Sequence, residues 1–239
     1  MTKFVRFLIP LAMLLVSATP AFATSFSLNQ SNALPAGVYG TVEVTQFGVN
    51  VVNVKVTLAA GYGFVETGSN NHPAFAFNLA GLGSPDPTLT VGGNLTIIND
   101  GAGADWAWNI IQPFGPTSDG LGTFDYVLNC YPGTATLARC GPGGSNPNPG
   151  PLEFRITLAG ITVNSFVGSS GGNISAFFAA DIQGPDGLTT GLVWTGPCTS
   201  TLPGCGEQLL QTPEPASLAL LGTGLVLAAS GMRRRARKR

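Results

Sequence analysis

Residues 40–58 show the clearest pattern in the chain. Val42 and Val44 alternate with Thr41, Glu43 and Thr45, and after the turn-like QFGVN, Val52, Val54, Val56 and Leu58 alternate with Asn53, Lys55 and Thr57. Side chains of a strand point alternately to its two faces, so this period of two predicts a β-hairpin with one buried and one wet face. Phe75, Phe77 and Leu79 share a face in the same way, as do Phe124, Tyr126 and Leu128. Leu152, Phe154, Ile156 and Leu158 alternate with Glu153, Arg155 and Thr157. Ile161 to Phe166, Ile174 to Ile182 and Leu192 to Trp194 are weaker strand candidates. Turn clusters such as GSNNHP, GLGSPDP, NDGAGAD and QGPDG separate these runs, and Gly141 to Pro151 reads as a mobile loop. No segment between the two ends sustains a helical period over three turns. About eight to ten short strands with Gly/Pro punctuation predict an all-β fold, a two-sheet sandwich or jelly-roll-like barrel.

The two ends follow other rules. Lys3 and Arg6 precede an apolar run from Phe7 to Val16, and Ala21-Phe22-Ala23 supplies the small-x-small pattern that signal peptidase reads. Residues 1–23 are therefore expected to be a removable signal peptide, with Ala21 and Ala23 at the cleavage site. Ala216 to Met232 carries no charge and is followed at once by RRRARKR. An apolar run of about 17 residues is just long enough to span hydrocarbon as a helix. Lys and Arg beside a span hold that side in the cytoplasm, which predicts a single pass with the N-terminal side outside. The organisation expected is a signal peptide (1–23), an exported β-sandwich domain (24–212) and a C-terminal tail (213–239).

Setting both ends aside changes the charge. The whole chain has a formal charge of −1, but residues 24–212 hold only Lys55, Arg139 and Arg155 against eleven carboxylates, a net −8. Phosphate neutralisation supplies most of the affinity for nucleic acid, so this domain is not expected to bind it.

Cys130, Cys140, Cys198 and Cys205 are an even set in an exported chain, which predicts disulfides. The local pairs Cys130–Cys140 and Cys198–Cys205 each close a Gly/Pro-containing loop. The spacing does not suit zinc, and no metal or cofactor is expected. His72, the one histidine, stands in a turn before Pro73. Glu43, Glu66 and Glu153 stand singly in their runs, and Asp86, Asp119 and Asp186 fall in turn clusters where Asp bonds local backbone. Asn99 to Asp105 lacks the ligand ladder of a calcium loop and reads as turn chemistry. These readings point to a non-enzyme, with a polysaccharide hydrolase using unrecognised carboxylates as one alternative. Trp106 and Trp108, two apart, would share a strand face. They could stack on sugar rings, helped by Asp105 or Asn109, or they could fill the core.

Directly before the apolar run stands Pro213-Glu214-Pro215, followed by Ala-Ser-Leu-Ala-Leu-Leu-Gly and the Arg-rich end. This tripartite arrangement resembles the PEP-CTERM sorting signal. The resemblance implies that an inner-membrane exosortase recognises Pro213, Glu214 and Pro215 and removes the tail, with residues 216–232 held transiently in the inner membrane. It also implies delivery to the cell surface or extracellular matrix of a bacterium that makes exopolysaccharide. Two prolines keep the box extended and outside the membrane helix. The function expected is a non-enzymatic surface or matrix protein associated with exopolysaccharide, with a carbohydrate-binding module using Trp106 and Trp108 as the other alternative.

Overall fold

Residues 23–67, 72–82, 87–101, 106, 108–111, 120–130, 140, 146–168 and 170–195 are described by the computed structural model. They build two antiparallel sheets. The first contains β1 (Ala23–Leu28), β3 (Gly40–Gly48), β4 (Val51–Leu58), β7 (Leu95–Asn99) and β10 (Leu152–Thr157), ordered β1-β3-β4-β10-β7. The second contains β2 (Gln30–Ser31), β5 (Gly63–Phe64), β6 (Phe75–Phe77), β8 (Asn109–Ile111), β9 (Tyr126–Asn129), β11 (Phe178–Gln183) and β12 (Thr190–Thr195). Its order is β2-β12-β11-β6-β9-β8, with β5 pairing the far end of β11. Ala23–Leu210 forms one compact unit.

The expected hairpin is β3–β4, in the register the alternation requires, with Val42 opposite Val56 and Val44 opposite Val54. Its turn needs a residue at positive φ, and Asn50 supplies it at 61°, a conformation asparagine tolerates better than most residues. The register shifts between Gln46 and Gly48, so Phe47 is the extra residue of a β-bulge. The Gln46 amide closes this irregularity by donating to the carbonyls of Gly48 (2.7 Å) and Val51 (3.2 Å), while its oxygen accepts from the Val163 N–H (3.2 Å).

The sheets face each other across an aromatic core. Phe154 of the first sheet lies 6.1 Å from Phe75 and 5.6 Å from Phe77 of the second, and Phe26 lies 5.0 Å from Phe178. β1 passes into β2 through a single residue, Asn29, whose N–H donates to the Trp194 carbonyl, so one run of chain joins both layers. The second sheet is covered on both sides. Its outer face carries a second apolar cluster, in which Ala76, Val127, Ala179, Leu192 and Trp194 pack with Leu121, Phe124 and Ala176.

Three expectations change. The strand proposed over Ile161–Phe166 is a 3-10 turn at Val163–Val167; Val163 and Phe166 are buried, yet no neighbouring strand offers a ladder there. Twelve strands occur among the described residues, more than expected, because several are only two or three residues long. The proposed mobile loop is anchored at Asn148, which is fully buried and exchanges two backbone hydrogen bonds with Phe64 (2.7 and 2.9 Å). No helix among the described residues is long and apolar enough to cross a membrane. The expected span 216–232 lies outside them, as do Ala21, Pro213, Glu214, Pro215, Cys198 and Cys205.

Candidate functional site

The first sheet has one dry face and one wet one, and the wet face holds the densest array of functional groups among the described residues. Register aligns them in rows across the strands. Ser25, Glu43, Lys55, Glu153 and Asn99 form one row, and Thr45, Asn53, Arg155 and Thr96 form the next. Ser27, Thr41 and Thr57 make a third. Directly opposed side chains stand about 5 Å apart at Cβ, so each row is a closely spaced set of hydroxyl, amide and charged groups. The backbone beneath is satisfied by its ladder, leaving the side chains to face solvent or a ligand.

Two groups on this face have defined neighbours. The Asn53 Nδ2 donates to Glu153 Oε1 at 2.8 Å. The Arg155 guanidinium carbon lies 3.6 Å from the centroid of the Phe47 ring, a cation–π contact on the wet face, where the alternation Thr41, Glu43, Thr45 also places Phe47. Phe47 remains 62% exposed. The Arg155 Nε–H and the Asn53 Oδ1, on residues directly opposed in register, have no hydrogen-bond partner.

The other sequence candidates fall elsewhere. Trp106 and Trp108 are 7% and 8% exposed and belong to the core. Trp108 meets the Phe64 ring edge-on at 6.1 Å and donates its indole N–H to the Asp100 carbonyl at 3.1 Å. The Trp106 indole N–H and the Asn109 Oδ1 are buried without partners. Asp100 works as turn chemistry: its carboxylate accepts the Trp106 backbone N–H (3.0 Å) and its carbonyl also takes the Asn148 amide (2.7 Å). Among the described residues no group of three or more His, Cys, Asp or Glu side chains is arranged to hold a metal ion.

Asp181, in the middle of β11, was not singled out by sequence and is fully buried. Its Oδ2 accepts both the Thr67 backbone N–H and the Thr67 hydroxyl at 2.6 Å each. The hydroxyl has one proton and gives it to Asp181, so the His72 Nδ1 at 3.2 Å is the donor to Thr67. The Asp181 backbone completes the clamp, with its carbonyl taking the Val65 N–H and its N–H donating to Pro73. His72 thus belongs to a chain of bonds that fixes residues 65–73 against β11. Asp186 is likewise structural, accepting from Leu188, Thr189 and the Thr189 hydroxyl; those bonds hold its carboxyl below the ordinary 3.8, the Thr189 hydroxyl first among them.

Cys130 and Cys140 are joined as a disulfide, with Cα atoms 5.4 Å apart, and both are buried. The bond ties the end of β9 to the chain ahead of Asn148.

Comparison with known proteins adds one finding. Residues 211–236 match the PEP-CTERM protein-sorting motif. No curated protein and no solved structure matches the chain.

Proposed function

We propose that this chain, an exported PEP-CTERM protein sorted to the cell surface by exosortase, is a non-enzymatic surface or matrix component. Its β-sandwich associates with exopolysaccharide through the outer face of the first sheet. The observation that carries this reading is the one-sidedness of that sheet: Val42, Val44, Val52, Val54 and Val56 are fully buried beneath it, while three rows of hydroxyl, amide and charged groups lie above. Hydroxyl-rich polymers are bound by such groups together with an exposed aromatic, and Phe47 provides one. The non-enzymatic part is supported by the structural employment of His72, Asp100, Asp181 and Asp186, each bonded to the backbone or side chains of its own turn or clamp.

The order of processing follows from the two end signals. Signal peptidase cuts after Ala23, leaving Thr24 as the first residue of β1. Residues 216–232 then hold the chain in the inner membrane, N-terminal side out, until exosortase acts at Pro213-Glu214-Pro215. The binding test uses the processed protein recovered from its host and the host's own exopolysaccharide. Co-sedimentation with the polymer is expected; a protein that stays wholly in solution at saturating polymer contradicts the reading. Turnover of the polymer, abolished by one Asp or Glu substitution, would overturn the non-enzymatic assignment in favour of a hydrolase.

One observation favours a second reading, sugar contact through Trp106 and Trp108. The buried Trp106 N–H and Asn109 Oδ1 lack partners that a sugar hydroxyl could provide. Such contact requires uncovering indoles that are now core, and Trp106→Ala abolishing polymer binding while leaving the fold intact would support it.

A further inference from the structure

The outer face contains one place where an unused donor, an unused acceptor and an exposed aromatic ring converge. Arg155 and Asn53 are directly opposed, so their side chains leave the sheet about 5 Å apart. The Arg155 Nε–H has nothing to donate to, and the Asn53 Oδ1 has nothing to accept. Leaving buried polar atoms unmatched is costly, because each has given up its water and gained nothing in return. The two are complementary to each other in sign, yet Asn53 is turned away by its bond to Glu153. Arg155 meanwhile rests against the Phe47 ring in a domain whose carboxylates far outnumber its cations.

We propose that Phe47, Asn53, Glu153 and Arg155 form a subsite for one unit of a neutral, hydroxyl-rich polysaccharide. This deepens the polymer-binding reading above and rests on it. The chemistry fits a vicinal diol. One hydroxyl accepts from the Arg155 Nε–H and its neighbour donates to the Asn53 Oδ1, so both unmatched atoms gain partners at once. Both atoms are sealed from solvent, but the ring over Arg155 is 62% exposed and sits on the bulge. Rotation of that side chain opens the guanidinium and presents the ring to the apolar C–H face of the sugar. Charge decides between neutral and acidic polymers. On this face Lys55 and Arg155 are matched by Glu43 and by the subsite's own Glu153, so no excess cation is left to hold a polyanion, and the net −8 of the domain repels one at long range.

The test uses the host exopolysaccharide before and after chemical reduction of its carboxyl groups to alcohols. Binding of the processed wild-type protein is expected to survive reduction within about twofold, while Phe47→Ala and Arg155→Ala each weaken it about tenfold or more, the scale of one lost ring contact with its hydrogen bonds. Arg155→Lys, which keeps the charge but loses the planar fork, is expected to stay weak. Val49→Ala on the same hairpin, where the side chain is 85% exposed, serves as the unchanged control. Phe47 is a surface residue, so its variant reports binding rather than folding. Loss of wild-type binding on carboxyl reduction overturns the neutral-sugar assignment. Equal binding by wild type, Phe47→Ala and Arg155→Ala overturns the subsite while leaving polymer association standing. Absence of wild-type binding to the native polymer sinks the broader reading and the subsite together.

Discussion

At the scale of single residues, the largest penalties fall on polar groups held inside the protein. Asp181 is fully buried and takes two short bonds from Thr67. Asp181→Ala strands the Thr67 donors and loosens residues 65–73, and hydrogen bonds to a charged acceptor are worth about 1.5–3 kcal/mol each. A loss of about 3 kcal/mol in denaturant stability is expected, together with faster amide exchange at Val65 and Thr67. Exchange unchanged at both amides would show that the clamp is not what holds this segment. Asp186 gives a pH signature. Its folded carboxyl titrates below the unfolded value of 3.8, so its contribution is complete above that pH and disappears as pH falls through the folded value. The stability difference between wild type and Asp186→Asn should therefore be constant near neutrality and shrink below about pH 4. A difference that grew on acidification would contradict the turn assignment. Burial acts oppositely on Tyr39, raising its hydroxyl above the ordinary 10.0.

Legibility in the sequence changes from one element to the next, for a physical reason. β3, β4 and β10 lie in a sheet with one wet face, so their alternation could be read directly and their pairing register matched it. β6, β9 and β11 are buried on both faces, since the second apolar cluster covers their outer side. The aromatic spacing of β6 and β9 was still legible, but FAADIQ carries little alternation, and nothing in the sequence marked Asp181 within it as a buried acceptor. β2 and β5 are two residues long, below any periodicity. Of the candidate site, the outward residues of β4 and β10 were visible as the polar half of the pattern. The Phe47–Arg155 contact was not, because QFGVN read as a turn whereas β3 runs on to Gly48 and carries Phe47 on its wet side. Hairpin and disulfide can both be tested at this scale. Both Asn50→Gly and Asn50→Val lose the oxygen that accepts the Gly160 N–H (2.8 Å), and Asn50→Val also forces a β-branched residue into positive φ, so it should be the less stable of the two by about 1–2 kcal/mol. Replacing Cys130 and Cys140 by serine should cost about 2–3 kcal/mol, the range for a loop of this length. Free thiols at both positions in the denatured, unreduced protein would contradict the bond.

For the whole molecule, the domain and its ends have different jobs and opposite charge. Six of the chain's eleven cations lie in residues 233–239, behind the apolar run, and two more stand at Lys3 and Arg6. Without the two ends a nearly neutral chain becomes an acidic domain of net −8. The sandwich itself offers two kinds of surface. One sheet is sealed by apolar packing on both sides, and the other holds an ordered polar face on a fully buried valine layer. The first is closed by its own packing, and the second is the face on which polymer binding is proposed. If export and sorting bracket this domain, the intact mass of the protein recovered from its host will show both cuts. The expected species begins at Thr24, ends close to Pro213-Glu214-Pro215, and is found at the cell surface or in the matrix. A chain that still carries Arg239 and remains in the inner membrane would contradict it.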